Sequence, residues 1–307
     1  MLYNPTRDAL YRPYTMAPLD PVLFKDKKDA LCAELSRLVY FAFPPAQSDL
    51  PLALAALGFA DAIYFEDATT NTQAFAAVDR NGTAFVVFRG TETGGVTDLV
   101  TDAAILRKAW DRGGRVHRGF ANAYDSNGSV FAHDSNGMLA SPFHNQGLNM
   151  RGALAKWIGL AKFKRLLASG HSLGAALATL FASDHPMAEL VTIGSPAVGD
   201  GHFAALFAGK DRQVRRYRDC CDLVTRVPPA LFGYRHTKGE IYIDRDGKPH
   251  NPAPETLRIL ADRAEAAVQY VPLALAGWDT VKLRDMADHA PINYVSAMLG
   301  LREPIKA

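Results

Sequence analysis

Arg165-Leu166-Leu167-Ala168-Ser169-Gly170-His171-Ser172-Leu173-Gly174-Ala175-Ala176-Leu177-Ala178 is the stretch on which the fold turns. Arg165 to Ser169 reads as a short strand, and Ser172 to Ser183 as an Ala-rich helix stopped near Pro186. Between them Gly170-His171-Ser172-Leu173-Gly174 fits G-x-S-x-G, a pattern that carries meaning only between a strand and a helix. Such a bend forces its serine into strained backbone geometry, and the two glycines let helix and strand pass closely. Ser172 then projects above the sheet at a helix N-terminus, where the dipole and the Leu173 amide favour a developing oxyanion. The plainer reading makes Ser172 a helix N-cap inside a short pattern of common residues.

Strands and helices alternate on both sides of this bend. Before it, Lys25 to Phe41 carries Leu31, Leu35, Leu38 and Val39 at helical spacing with charges between them, which predicts an amphipathic helix ended by Pro44 and Pro45. Asp61 to Asp67 and Thr72 to Asp79 read as strands, and Asn81-Gly82 turns the chain into the all-apolar run Thr83 to Phe88. Asp125 to Asn149, with Ser126-Asn127-Gly128 and Ser135-Asn136-Gly137, reads as a long surface loop, and Met150 to Leu160 as a helix. After the bend come a buried strand Leu190 to Gly194, a helix Gly201 to Phe207 and a strand Gln213 to Arg218 that ends just before Asp219 and Asp222. A further strand Ile241 to Asp244 follows, then a helix Glu255 to Tyr270 with Leu257, Leu260, Ala261, Ala264 and Val268 on one face. The pattern is α/β, with a central, mostly parallel sheet and helices on both faces.

The 307 residues, 48% hydrophobic and 21% charged, suit one domain spanning 1–307, with a helical extension over about residues 1–58. With a formal charge of +2, no strong field favours nucleic acid or an anionic membrane, and no nucleic-acid partner is expected. Cys32, Cys220 and Cys221 form neither a metal knuckle nor a disulfide framework. The N-terminus lacks the basic-then-apolar run of a signal peptide and no stretch approaches a membrane span, so the residues alone point to the cytoplasm.

Four ordered motifs resemble the class 3, fungal-type lipases of the α/β-hydrolase superfamily. They are Phe88-Arg89-Gly90-Thr91, Val116-His117-Arg118-Gly119-Phe120, Gly170 to Ala178, and Gly194-Ser195-Pro196-Ala197-Val198-Gly199. The resemblance continues through Asp222 to Pro229, Tyr234 to Glu240 and Asp288-His289, covering about residues 60 to 295. Ala175 replaces the second glycine usual after the serine motif, and Thr225 stands where a proline is common. The resemblance implies an α/β-hydrolase fold, hydrolysis of carboxylic esters with triacylglycerols foremost, and a secreted protein working at a lipid–water interface.

In that superfamily the triad runs Ser, then Asp or Glu, then His, so the base for Ser172 lies downstream of the acid. Of nine histidines, His236, His250 and His289 qualify. His236 matches a position the family uses structurally, and His250 sits in a polar turn. The resemblance therefore implies His289 as base. Asp219 and Asp222 compete for the acid at the end of one strand, and spacing to Pro228-Pro229 favours Asp222. The oxyanion hole is expected from the Leu173 amide and from Thr91, the latter carried over from the family pattern.

Gly94-Gly95 and Gly113-Gly114 bracket Thr93 to Gly114, where Val96, Leu99, Val100 and Leu106 suit either a hinged lid helix or an ordinary surface helix. The long loop and the 255–286 insert also qualify as walls of the pocket. No phosphate loop, dinucleotide fingerprint or metal-ligand cluster appears, so no cofactor is expected. A phospholipase, an aromatic-acid esterase, an amidase or a non-catalytic relative are the alternatives on the same scaffold.

Overall fold

A computed structural model describes all residues except 2, 44, 46, 47, 91–105, 142, 144–146, 306 and 307. In chain order the strands are β1 (Ile63–Asp67), β2 (Thr72–Val78), β3 (Thr83–Phe88), β4 (Arg107–Ala109), β5 (Arg115–His117), β6 (Val130–His133), β7 (Arg165–His171), β8 (Glu189–Ile193), β9 (Val214–Asp219), β10 (Glu240–Ile243) and β11 (Pro249–His250). Nine of them form one sheet in the order β11-β10-β9-β8-β7-β3-β2-β1-β6. The centre, β10 through β3, is parallel. Both margins are antiparallel, because hairpins join β1 to β2 and β2 to β3 and a tight turn joins β10 to β11.

Alternation along the strands divides the core. Phe75, Ala77, Phe85, Val87 and Leu167 face a cluster completed by the helices Lys28–Leu38 and Pro291–Met298. Ala74, Ala76, Val86, Phe88 and Leu166 face the other, completed by the helices Arg118–Asp125, Met150–Leu160 and Leu173–Asp184. Successive side chains leave a strand on opposite faces, so a sheet covered twice must be apolar on both, as the run Thr83 to Phe88 is.

The structure departs from the sequence reading in four places. The helix expected over Lys25 to Phe41 stops at Leu38, before the two prolines, and two of the charges among its apolar positions do not face water. Glu34 and Arg37 are fully buried and paired, and Arg37 also donates to the carbonyls of Pro13, Met16 and Ala17. The N-terminal segment thus wraps over the helix and supplies the acceptors that a buried guanidinium requires.

The long loop contains β6, whose Val130 and Ala132 point inward as it pairs with β1, too short a run to stand out among turn residues. The long C-terminal helix runs Thr256–Ala276 and inverts the expected face. Ile259, Ala266 and Tyr270 are buried, the first two against Cys220, Cys221 and Tyr242, whereas Leu257 and Val268 are 80% and 73% exposed. Both stripes are apolar, and the moment alone does not say which packs. Finally, the described end of the proposed lid is an antiparallel β4–β5 hairpin with Gly113 and Gly114 in its turn, not a helix. Val96, Leu99, Val100 and the Gly94-Gly95 pair lie outside the described residues.

Candidate active site

β7 ends at His171, and Ser172 follows with φ 60° and ψ −126°, a conformation that side chains other than glycine rarely adopt. Backbone packing explains why it persists. A Cβ on Gly170 would stand 2.3 Å from the Gly174 backbone, and one on Gly174 would stand 2.2 Å from the Phe88 carbonyl oxygen. Helix Leu173–Asp184 therefore leaves the strand at a distance that only two glycines permit, and the bend between them is fixed by its surroundings. The N-cap reading fails: Ser172 makes no capping bond with its side chain. Leu173 opens the helix, where geometry leaves its amide without an intrahelical acceptor.

β9 delivers the two carboxylates, and the structure separates them. Asp222 Oδ2 accepts from His289 Nδ1 at 2.8 Å and from the Tyr294 hydroxyl at 2.6 Å, while its Oδ1 accepts the Val224 amide at 2.8 Å. Asp222 is 1% and His289 0% exposed, so the contact is shielded from water. Asp219 instead pairs with buried Arg302, and burial pushes its carboxyl up to about 7 against the pull of that guanidinium. Tyr294 ties the loop together by accepting the Asp219 amide at 2.9 Å while donating to Asp222.

His289 lies between a short helix, Arg284–Ala287, and helix Pro291–Met298. Its ring sits 4.4 Å from the ring of His171, the residue before Ser172. Ser172 Oγ and His289 Nε2 are both buried, and neither has a hydrogen-bond partner among the described residues. Buried polar atoms of this kind are ordinarily paired, so both are candidates for contact with a ligand.

The two other downstream histidines lie elsewhere. His236 Nε2 donates to the Thr225 carbonyl at 2.8 Å, and burial lowers its pKa to about 3. His250 is not free in a turn; its Nε2 meets Asp244 Oδ2 at 2.8 Å in the short strand β11. Thr91 lies outside the described residues, so only its neighbour Gly90 can be located, and it lines a cavity of about 130 Å³ together with Leu173, Leu177, Arg89 and Gln73.

Among the described residues one cluster has metal-ligand chemistry: Cys220, Cys221 and Asp288 place donor atoms within 4.8 Å of one another. Those donors are already occupied. Asp288 accepts from the Tyr3 hydroxyl at 2.6 Å, from the Cys221 amide at 3.1 Å and from Arg284, and the two thiols lie 3.4 Å apart against Ile259 and Ala266. The cluster reads as a structural hub beneath the His289 loop.

The lipase (class 3) family matches residues 85–232. A secreted mono- and diacylglycerol lipase of Fusarium solani is 39% identical over 84 residues, 26% of this chain and 25% of that protein. A lipase of Rhizomucor miehei is 28% identical over 200 residues, covering 62% of this chain and 48% of that protein. The chain thus spans about half or less of the length of these curated relatives. Among solved structures, a triacylglycerol lipase described as having a serine-protease triad superposes with TM-score 0.52 at 19% identity, over 72% of this chain and 80% of that one. A lipase of Yarrowia lipolytica superposes with TM-score 0.51 at 24% identity, over 74% and 81%. Identities this low establish the fold alone: the chain has the α/β-hydrolase fold, and its residues 85–232 are similar to the class 3 lipase family.

Proposed function

We propose that this protein is a serine carboxylic ester hydrolase acting on lipid esters, with acylglycerols as substrates, Ser172 as nucleophile, His289 as base and Asp222 as the orienting acid. The observation that carries the proposal is the buried 2.8 Å contact of His289 Nδ1 with Asp222, which leaves Nε2 unpaired on a ring 4.4 Å from that of His171, the residue before the strained serine. His289 Nε2 takes the Ser172 proton as Oγ attacks the ester carbonyl, then returns it to the departing alcohol. Water, deprotonated by the same nitrogen, frees the carboxylic acid and restores the serine. Asp222 fixes the tautomer with its proton on Nδ1 and stabilises the imidazolium, and its second bond, from Tyr294, keeps the carboxylate from turning. The Leu173 amide and Thr91 would receive the oxyanion.

Relatives named as mono- and diacylglycerol lipases support glycerides as the substrate class, and the lipid–water interface belongs to the same proposal. A phospholipase A1 of Arabidopsis thaliana, 31% identical over 166 residues, supports a second reading in which the ester belongs to a phospholipid. Turnover of a chromogenic short-chain ester by wild type and by Ser172→Ala tests the reaction, and glycerides of graded chain length against phosphatidylcholine test the substrate. Wild-type turnover in a folded Ser172→Ala variant rejects the proposal.

A further inference from the structure

Helix Lys28–Leu38 ends two residues before Tyr40, a buried tyrosine in a part of the chain without any recognisable motif. Its hydroxyl lies 3.0 Å from His171 Nδ1. The other nitrogen of that ring, Nε2, lies 2.8 Å from the backbone oxygen of His289. A carbonyl oxygen can only accept, so Nε2 carries a proton. In a neutral imidazole Nδ1 is then bare, and Tyr40 must be the donor to it.

Tyr40 is itself held from the far side. The Gly90 backbone N–H is in hydrogen-bonding position to its oxygen, and a Cβ on Gly90 would stand 2.0 Å from that oxygen and 2.6 Å from the His171 carbonyl. One directed series of hydrogen bonds therefore runs from the amide beside Thr91, through Tyr40 and His171, to the backbone of His289. It joins the loop before the expected oxyanion donor, the serine bend and the base. All its side chains are buried.

We infer that Tyr40 is a positioning residue for ester hydrolysis, keeping His171 a neutral Nε2–H donor that fixes the His289 backbone and remains uncharged against its ring. The inference rests on the hydrolase reading above. The charge state matters because the two rings lie 4.4 Å apart and His289 becomes a cation during acyl transfer. A second cation at that distance, shielded from water, would oppose the proton transfer.

The groups facing His171 are consistent with its neutrality. They are Tyr40 with Arg89 over its ring at 5.9 Å, Tyr294 with its ring at 6.3 Å, and His289, which is backed by Asp222. Burial raises both tyrosines well above their ordinary value, so neither supplies a negative charge that would draw a proton onto the ring. Burial likewise lowers the pKa of His171.

Tyr40→Phe removes only the hydroxyl. We expect kcat on a short-chain ester to fall about tenfold, as for a lost buried hydrogen bond, with KM within about twofold. Without its donor, Nδ1 is free to take a proton, so the acid limb of the kcat/KM profile moves to higher pH. In the pair His171→Gln and Tyr40→Phe/His171→Gln, where an amide that cannot titrate replaces the ring, that displacement disappears. A folded Tyr40→Phe enzyme with unchanged kcat, or an acid limb that moves equally in both backgrounds, overturns the inference.

Nitrogen-15 NMR of histidine-labelled wild type gives a readout independent of turnover and of any variant's folding. His171 should show a protonated Nε2 and a bare Nδ1 from pH 8 down to 5. A protonated Nδ1 in that range contradicts the inference even if Ser172 proves to be the nucleophile. Conversely, loss of the hydrolase reading leaves this NMR result intact.

Discussion

Asp219, the last residue of β9, and Asp222 flank Cys220 and Cys221, yet Asp222 turns to His289 and Asp219 to Arg302. The division follows from what each meets. Asp222 faces an imidazole and a phenol that can share one oxygen, whereas Asp219 faces a buried guanidinium that needs a full charge.

Substitution should separate the two. Asp222→Asn loses the acceptor that fixes the His289 tautomer, and we expect kcat to fall on the order of a thousandfold or more. Asp219→Asn should leave turnover within severalfold and cost about 3 kcal/mol in urea unfolding, because buried Arg302 loses its near carboxylate and keeps only Asp288 at 3.8 Å. The opposite ranking in steady-state kinetics would move the orienting role to Asp219.

The serine bend should tolerate no Cβ at its glycines. Gly174→Ala puts a carbon 2.2 Å from the Phe88 carbonyl oxygen, and Gly170→Ala puts one 2.3 Å from helix backbone, so neither can relax by a side-chain rotation. We expect a loss above about 4 kcal/mol in chemical unfolding, or no folded protein. Gly159→Ala, at an exposed position of helix Met150–Leu160 with nothing within 4 Å of its Cβ, should instead stabilise by about 0.5–1 kcal/mol. Similar effects at all three positions would show that the close approach of helix and strand is not what holds Ser172.

Acid stability should depend on His236. Its folded pKa is lowered to about 3, so below the unfolded value near 6.5 the unfolded chain binds a proton that the native state refuses. Native stability is therefore lost as pH falls through that window. The unfolding free energy of His236→Gln should gain on wild type by about 1.4 kcal/mol per pH unit between pH 6 and pH 4. Urea titrations at three pH values check this, and parallel stability curves for the two proteins would contradict it.

Local patterns made much of this legible in the sequence. The bend at Ser172, the strand Thr83 to Phe88 and the helix Met150 to Leu160 are each specified by neighbouring residues, and the structure has them at or close to the expected bounds. The long-range part was not legible. Tyr40 reaches across 131 residues to His171, and the Asn4 amide reaches across 289 to the side chain of Asn293 at the base of the His289 loop. Nothing local marks either residue, because tyrosines and asparagines are ordinary at helix ends and turns. The C-terminal helix carries two apolar stripes, and only the packing of Ile259 and Ala266 on the Cys220-Cys221 loop chooses between them.

Site-resolved labelling by a fluorophosphonate is the most direct measurement. The reagent bonds to a serine oxygen only where that oxygen is activated, so mass spectrometry of the digested adduct names the nucleophile. We expect one phosphonyl group, on Ser172, formed at least a hundredfold more slowly in His289→Ala. An adduct on another residue, or labelling of Ser172 at an unchanged rate without His289, would contradict the proposed chemistry.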